Sequence, residues 1–428
     1  IRWFDGQVYD WSLAWLIVAG LAFALAAVVV YELLRILLGY PARWWRKRQV
    51  NCQLEGLRTV TRGMMAVAAG DGTQAKELRR EAEKLLGERE PAALLLAAQS
   101  AELDDNYEVA QLKYRQMLRQ RPTALLGLRG LLHDALATGD MDRALELARR
   151  AYREYPYTEW VVQQLFDLLV HHRHWSEALR RVDDLKLNSV VDGDEAQRLR
   201  GLLKFLIAQE RADKGELEEA LKSDMDATRR QRAFAPAAAF ASELANRLGK
   251  SRQAHKVVEE AWARAPHPRL VEAYAALEPD EPASARLARF ERLYNRNPNH
   301  HLTLRIMIEA ALAAGDTARA RSLVRDVPGT NPTAGTLQTA IDALKAVEPD
   351  SPRIAEFEAL LPDAPADEAW VCQRTGQVLP RWQPFGPTGE FDTLRWQSPP
   401  KVATFVAAGP SGAFGSATMD LEAAKGTD

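Results

Sequence analysis

Three closely spaced histidines form the densest group of potential metal or heme ligands in the sequence. His171, His172 and His174 lie in the stretch HHRHW. Neighbouring residues of a helix point about 100° apart, so adjacent imidazoles do not converge easily on one ion. Both cysteines of the chain are far from this stretch. We therefore predict a solvated loop at the end of a helix and no cofactor. The three histidines remain the candidates for heme or porphyrin binding.

A second candidate is the stretch WVCQRTGQVLPRWQPFGPTGEFDTLRW, which has the outline of a zinc ribbon. A structural zinc ion needs four ligands, but this stretch supplies only Cys372 and no histidine. We therefore predict no metal. Strands at residues 371–372 and 391–396 can still pair, and aromatic side chains can replace the ion as a core. That predicted core consists of Trp370, Trp382, Phe391 and Trp396. Because such a unit is too small to be stable alone, we expect it to pack on the last repeat of the helical domain described below.

A third motif, GDGTQA, begins at Gly70 and matches the dinucleotide-binding pattern G-x-G-x-x-A. That pattern needs a preceding strand, whereas MMAVAA is typical of a helix. The same Gly-Asp pair recurs five residues before an alanine, so we predict a repeated turn in which glycine ends one helix and aspartate caps the next. The predicted turns are Gly70-Asp71, Gly139-Asp140 and Gly315-Asp316. The sequence contains no Ser-His-Asp order, G-x-S-x-G, Walker loop or H-E-x-x-H motif, so we predict that the protein is not an enzyme.

Composition limits the remaining classes. The chain has 428 residues, a formal net charge of -2 and two cysteines, Cys52 and Cys372. Two distant cysteines exclude a disulfide framework, and the balanced charge does not support nucleic-acid binding over the whole chain. The length predicts two or three units, or one repeat array.

A membrane-spanning helix is predicted near the N-terminus. WSLAWLIVAGLAFALAAVVVY, residues 11–31, is uncharged and long enough to cross the roughly 30 Å hydrocarbon core. A cleaved signal peptide is the alternative, but no basic region precedes the apolar core. The positive-inside rule places everything after the span in the cytoplasm. The predicted interfacial residues, which can also contact anionic lipid, are Trp11, Trp15, Arg43, Trp44, Trp45, Arg46, Lys47 and Arg48.

A 34-residue period follows the predicted span. Ala110, Ala144 and Ala178 are 34 residues apart, as are Pro122 and Pro156. This period is that of the tetratricopeptide helix-turn-helix unit, in which small side chains allow two helices to approach closely. Residues 192–235 lose the register, which predicts an irregular repeat or a longer helix pair there.

The fold class predicted is therefore all-α, with a transmembrane helix, a tetratricopeptide-type solenoid and a small β-hairpin or degenerate ribbon. The predicted domains are a periplasmic segment (1–10), the transmembrane helix (11–38), a basic juxtamembrane helix (39–56), the repeats (57–365), the ribbon (366–398) and a disordered tail (399–428).

Several stretches make the chain resemble the HemY family of Gram-negative inner-membrane proteins. They are GQVYDW, LRTVTRGMMAVAAGD, ALLLAAQSAEL, LLGLRGLLHDALATGD and FDTLRW. The resemblance implies two N-terminal spans, so we expect a further span upstream of Ile1. It also implies an association with late heme or porphyrin biosynthesis, as a scaffold or adaptor without established catalytic activity. A flavin-dependent protoporphyrinogen oxidase shares the name, but its strand-borne fingerprint is missing here.

Solenoids of helix pairs usually hold a protein segment in their groove. We therefore expect protein partners, among them enzymes of heme synthesis, together with the lipid bilayer and no nucleic acid. One alternative is a related membrane-anchored adaptor that regulates lipopolysaccharide synthesis through a rubredoxin-like metal domain. Its paired C-x-x-C knuckles are reduced here to Cys372, with Thr375 at the second position. A second alternative is a carrier of heme or porphyrin.

Overall fold

The computed structural model describes residues 13–400. The predicted segment 1–10, Trp11 and nearly all of the predicted tail lie outside the described residues. The same holds for the side chains of the predicted basic cluster Arg43, Trp44, Trp45, Arg46, Lys47 and Arg48, although their backbone is described as helical.

The described chain is a series of helix pairs followed by a small sheet, which confirms the predicted fold class. The first unit holds α1 (Leu13–Ala68), α2 (Gly72–Leu86), α3 (Pro91–Leu103), α4 (Tyr107–Met117) and α5 (Ala124–Ala137), and α6 (Met141–Glu154) contains the division at Ala151. The second unit holds α7 (Glu159–His171), α8 (Trp175–Leu187), α9 (Gly193–Asp213), α10 (Leu217–Arg230), α11 (Ala235–Arg247), α12 (Ser251–Trp262), α13 (Pro268–Ala276), α14 (Ala283–Arg296), α15 (His301–Ala313), α16 (Thr317–Asp326), α17 (Ala334–Val347) and α18 (Arg353–Leu360). Short 3₁₀ turns follow α16 and α18, at Val327–Thr330 and Leu361–Asp363.

Helix α1 combines three segments that the sequence analysis separated. It runs for 56 residues through the apolar span, the basic stretch and the first helix of the first repeat. The segment Trp15–Arg35 is long and apolar enough to cross a membrane, by length and composition. Further along, Val60, Met64 and Val67 pack against Leu86 of α2 and Leu96 of α3. The anchor and the repeats are therefore parts of one helix.

Small residues lie where the helices of a pair cross. Ala110, Ala144, Ala178 and Ala254 are at most 3% exposed. Without a bulky side chain, the two backbones approach closely enough for the larger neighbours to interlock. The irregular stretch of the sequence forms the pair α9 and α10, in which α9 is extended to 21 residues.

The turns between paired helices repeat one geometry. Gly70, Gly139 and Gly315 have φ values of 76°, 74° and 73°, a left-handed conformation that favours glycine after a helix. The next residue caps the following helix with its side chain. Asp71 accepts a hydrogen bond from the Gln74 amide at 2.9 Å, Asp140 from Arg143 at 3.1 Å and Asp316 from Arg319 at 2.9 Å.

The sheet near the C-terminus has the strand order β2-β1-β3. Strand β1 (Ala369–Cys372) pairs antiparallel with β2 (Val378–Leu379) and β3 (Leu394–Gln397). Trp370 lies opposite Trp396. We call residues 369–397 the ribbon.

We expect the close helix crossings to be sensitive to a single methyl group. In α5, a Cβ added at Gly127 would lie 2.7 Å from the Tyr114 carbonyl oxygen, whereas one added at Gly193 meets only Lys186 Nζ at 3.8 Å. Glycine to alanine normally stabilises a helix, but the backbone clash should reverse the sign and make Gly127→Ala destabilising by about 1–3 kcal/mol. Thermal unfolding of the detergent-solubilised protein, followed by circular dichroism, measures the effect. Gly193→Ala should leave the unfolding midpoint unchanged or raise it, and an equal midpoint for both variants would contradict the close crossing.

Candidate functional site

The ribbon lies on the first helices of the pairs in the second unit. We define the first-helix face as the surface formed there by Phe166 of α7, Phe205 of α9, Phe234 before α11, His267 before α13 and Arg305 of α15. Each of these residues contacts the ribbon or the segment that leads into it. Because first helices line the groove of a helical solenoid, the ribbon occupies the position that a bound peptide would take.

Aromatic rings supply most of this contact. Trp382 packs edge-on against Phe205 and Phe234, with ring centroids 5.5 and 5.1 Å apart. Trp396 lies 4.0 Å from the His267 ring. Aromatic pairs at these distances add about 0.5–1.5 kcal/mol each beyond the area that they bury. The tryptophans of the ribbon therefore bind it to the helices.

Ion pairs mark both ends of the docked segment. Arg198 of α9 donates to Asp392 at 2.7 Å, and the Asp392 side chain is only 8% exposed. Burial raises the pKa of Asp392, although Arg198 and Arg395 oppose the rise. At the other end, Arg305 of α15 donates to Asp367 at 3.1 Å. An Arg-carboxylate pair fixes the register of an interface more than it adds affinity.

The expectation that the ribbon packs on the last repeat is wrong. Only the chain leading into it touches the last pair, where the Ala334 amide donates to the Pro365 carbonyl oxygen at 2.9 Å and Gly335 contacts Asp367. The ribbon itself extends back to α7. The physical reason is that its aromatic side chains find large rings on α7, α9 and the start of α11, where the aromatic contacts lie.

The four residues of the predicted aromatic core do not form one cluster. Trp370, Trp382 and Trp396 belong to the core that also holds Cys372 and Leu394. Phe391 lies apart, 6.1 Å from Phe166 and 6.2 Å from Trp175.

The surroundings of Cys372 keep the frame of a metal ribbon. Its thiol lies 3.6 Å from the Thr393 hydroxyl, and a Cβ on Gly386 would lie 3.4 Å from its sulfur. Burial raises the pKa of this thiol, but hydrogen bonds from Thr375, Thr393 and the Arg374 backbone outweigh it, and the net pKa is lowered. Hydroxyls and a glycine thus surround the single cysteine. The described residues contain no group of three or more His, Cys, Asp or Glu side chains placed to hold a metal ion.

The histidine stretch contributes one residue to the docking surface. His171 ends α7 and stacks on Phe385 of the ribbon, with centroids 5.2 Å apart, and burial lowers its pKa. His172 caps α7, and its Nδ1 lies 2.8 Å from the Leu168 carbonyl oxygen. His174 precedes α8, with its ring 5.8 Å from that of His172. The structure therefore uses His171 for packing and the other two at helix ends.

Two other histidines cap helices through their rings. His267 Nδ1 accepts from the Arg269 amide at 2.9 Å and starts α13, while His300 Nδ1 accepts from the Leu302 amide at 3.2 Å and starts α15. Burial lowers the pKa of each to about 4. Because an accepting Nδ1 carries no proton, both rings must be neutral to act as caps.

A small cavity opens beside the ribbon. Its lining includes His301, Thr333, Thr336, Glu368 and Trp396, and it has about 50 Å³ of room for water-sized molecules. His301 Nδ1 lies 3.2 Å from the Thr336 hydroxyl, and Trp396 Nε1 donates to Glu368 at 2.9 Å. Its polar groups are thus already paired with one another.

These features define a class of protein. An apolar helix of membrane-spanning length, continuous with stacked helix pairs, supports a membrane-anchored tetratricopeptide-type repeat protein. Of the predicted interfacial side chains, Trp15 is described and is 64% exposed, as a residue facing lipid would be.

The family of its N-terminal part follows from a sequence match. The family model described as "HemY protein N-terminus" matches residues 3–105, which confirms the HemY resemblance for this region. No curated protein matches the chain.

Solved tetratricopeptide structures are similar at low scores. A tetratricopeptide repeat protein from Parabacteroides merdae is 16% identical, with 58% of this chain and 97% of that chain covered and a TM-score of 0.26. The P58(IPK) TPR domain is 14% identical, with 72% and 97% covered and a TM-score of 0.24. The TPR2AB-domain:pHSP90 complex of yeast Sti1 is 15% identical, with 73% and 99% covered and a TM-score of 0.28. At such scores the evidence for the fold is the helix pairing itself.

Sequence reasoning missed the residues on the helix side of the docking surface. Phe205, Phe234 and His267 follow no motif, and Arg198 is one of many arginines. Phe205 carries one usable signal, since it stands 15 residues before the buried Ala220, at the position of Arg129 before Ala144 and Arg305 before Ala320.

We expect Trp382→Ala to release the ribbon while the helices stay folded. The substitution removes the ring between Phe205 and Phe234 and should weaken docking by about 2–4 kcal/mol. Hydrogen exchange should then rise in peptides from 369–397 and stay unchanged in α9. The exposed neighbour Gln383 provides the control Gln383→Ala, and equal protection of the ribbon in both variants would show that Trp382 does not bind it.

We expect ribbon docking to weaken in acid because of His267. Its pKa is about 4 in the folded protein and 6.5 without burial, so the unfolded chain binds more protons between these values. Stability is therefore present above pH 6.5 and is lost as the pH falls towards 4, by up to about 3 kcal/mol. His300 adds a similar dependence. His267→Asn keeps a capping oxygen without titrating, so unfolding midpoints of this variant should fall less between pH 6.5 and 4. A parallel fall in both proteins would exclude His267 as the source.

Proposed function

We propose that this protein is an inner-membrane scaffold whose repeat domain lies in the cytoplasm and holds an enzyme of late heme or porphyrin synthesis. The observation that carries the proposal is the HemY match over residues 3–105, joined to a helix that continues from an apolar span into a protein-binding type of fold. The basic residues that follow the span in sequence favour a cytoplasmic repeat domain by the positive-inside rule.

A scaffold role without catalysis fits the side chains of the described surface. The perturbed histidines act as packing partners or helix caps, and the polar groups of the cavity are paired with one another. Perturbed groups at a catalytic site converge on an open cleft. Here they stabilise helix ends and the docked ribbon.

The partner surface that we propose is the face of α3 and α5 in the first unit. Leu95 and Arg129 stand 15 residues before the buried Ala110 and Ala144, at the position that Phe205 and Arg305 occupy in the second unit. There the ribbon and the segment before it cover these positions. In α5, Leu126, Arg129 and His133 are exposed. This face therefore presents apolar and basic side chains to a partner.

A co-purification experiment tests the proposal. We expect the tagged full-length chain, solubilised from membranes in detergent, to recover an enzyme of heme synthesis, identified by mass spectrometry. Leu126→Glu, on α5, should reduce the recovery about tenfold if this leucine is buried by the partner. Leu112 of α4 is similarly exposed, 54% against 41%, so Leu112→Glu is the matched control and should keep the partner.

Two results would contradict the proposal. Recovery of no heme-pathway enzyme, together with normal porphyrin levels in a deletion strain, would exclude the pathway. Recovery of lipopolysaccharide-synthesis proteins instead would favour the envelope-lipid adaptor. Equal loss of the partner in Leu126→Glu and Leu112→Glu would move the binding surface away from α5.

A further inference from the structure

An apolar stripe on α1 is left uncovered by the helices that pack against it. Val50, Leu54, Leu57 and Met65 are 53%, 52%, 48% and 66% exposed, and Thr61 lies among them. We call these five residues the α1 stripe. Successive members are four, three, four and four residues apart, so they fall within an arc of about 80° on one side of the helix. Four large apolar side chains on one face of a single helix mark an interaction surface.

The α1 stripe lies on the side of the helix opposite its packed face. Val60, Met64 and Val67 contact α2 and α3, and a Cβ on Gly63 would come within 2.6 Å of Leu96. At 100° per residue, the centre of this packed face is about 150° from the centre of the stripe. The stripe is therefore not a frayed edge of the core of the repeats.

The stripe is also too far along the helix to be covered by the bilayer. Val50 is 15 residues beyond Arg35, the end of the span, which is about 22 Å along a helix. Even at a tilt of about 40° this leaves about 17 Å along the membrane normal, whereas the headgroup region is about 5–8 Å thick. Lipid cannot reach these side chains, so a protein surface is the occupant to consider.

We propose that the α1 stripe is covered by the same stripe of a second copy, in a parallel two-helix seam. Because α1 is continuous from the span to the stripe, two copies inserted in the same orientation present their stripes at equal heights. The first steps, of four and three residues, are those of a heptad seam, with Leu54 and Leu57 at its two core positions. In that register Gln53 faces Arg58 of the other copy, so no like charges oppose each other. The inference rests on the membrane anchor of the proposed function.

Disulfide trapping in native membranes tests the seam. In the full-length chain with Cys52→Ser and Cys372→Ser, a single cysteine can link only to a second molecule. Leu57→Cys should give a dimer band on oxidation, about tenfold stronger than Glu55→Cys, because facing core positions of a seam lie within disulfide distance and outward positions do not. Glu55 is the matched control, since it lies at almost the same height and is equally solvent-exposed.

Three outcomes decide between the possible occupants. A Leu57→Cys band no stronger than the Glu55→Cys band would overturn the proposal, as would a trapped product whose mass shows a different protein. A second variant, Leu54→Glu with Leu57→Glu, keeps the α2 contacts intact and should convert dimers into monomers in mass photometry of nanodiscs. Alkaline extraction of the same membranes reports the anchor separately. Loss of the protein to the soluble fraction would contradict the proposed function, whereas a retained protein without dimers would contradict only the seam.

Discussion

Close approach of two helices at small side chains is the constraint on which the rest of this structure depends. Ala144, Ala178 and Ala254 are at most 0% exposed at their crossings, and a methyl group at Gly127 would already meet backbone. Once each pair is this tight, its larger residues project outward to the neighbouring pairs and to the first-helix face. The repeat thus separates two roles: small residues fix the geometry within a pair, and large residues decide what that pair binds.

The second unit uses those large residues on its own chain. Phe205, Phe234 and His267 are covered by Trp382 and Trp396, and tethering makes this contact intramolecular, at an effective concentration that a free peptide does not reach. The zinc-ribbon outline of the segment takes on a different meaning in this setting. A metal ion holds a small ribbon together by itself, whereas here the ribbon is held by the helices that it covers. A competing partner would have to displace several aromatic contacts at once.

The sequence predicted what depends on local pattern. The 34-residue period, the Gly-Asp turns and the pairing of Trp370 with Trp396 all follow from spacings within about one repeat, because turn chemistry and helix packing act over such distances. The ribbon's docking surface did not follow, since Arg198 and Asp392 are 194 positions apart and neither has a local signature. His267 and His300 were missed because a histidine cap looks like any other polar residue before a helix. Phe391 was assigned to the wrong cluster for a related reason: alternation along a strand gives the side on which a residue lies, but not the helix that meets it.

Helix α1 joins the membrane and the repeats in a way that spacing alone did not reveal. The sequence suggested a span, a basic helix and a first repeat as three elements, but the helix runs from Leu13 to Ala68. The orientation of the first unit is consequently coupled to the span through helical backbone rather than through a flexible linker. Its packed face fixes α2 and α3 at one angle around the helix axis, and the exposed stripe points away from them. A partner held on α3 and α5 and a neighbour held on the stripe would therefore lie on different sides of α1, so both could be bound at once without competing for the same surface.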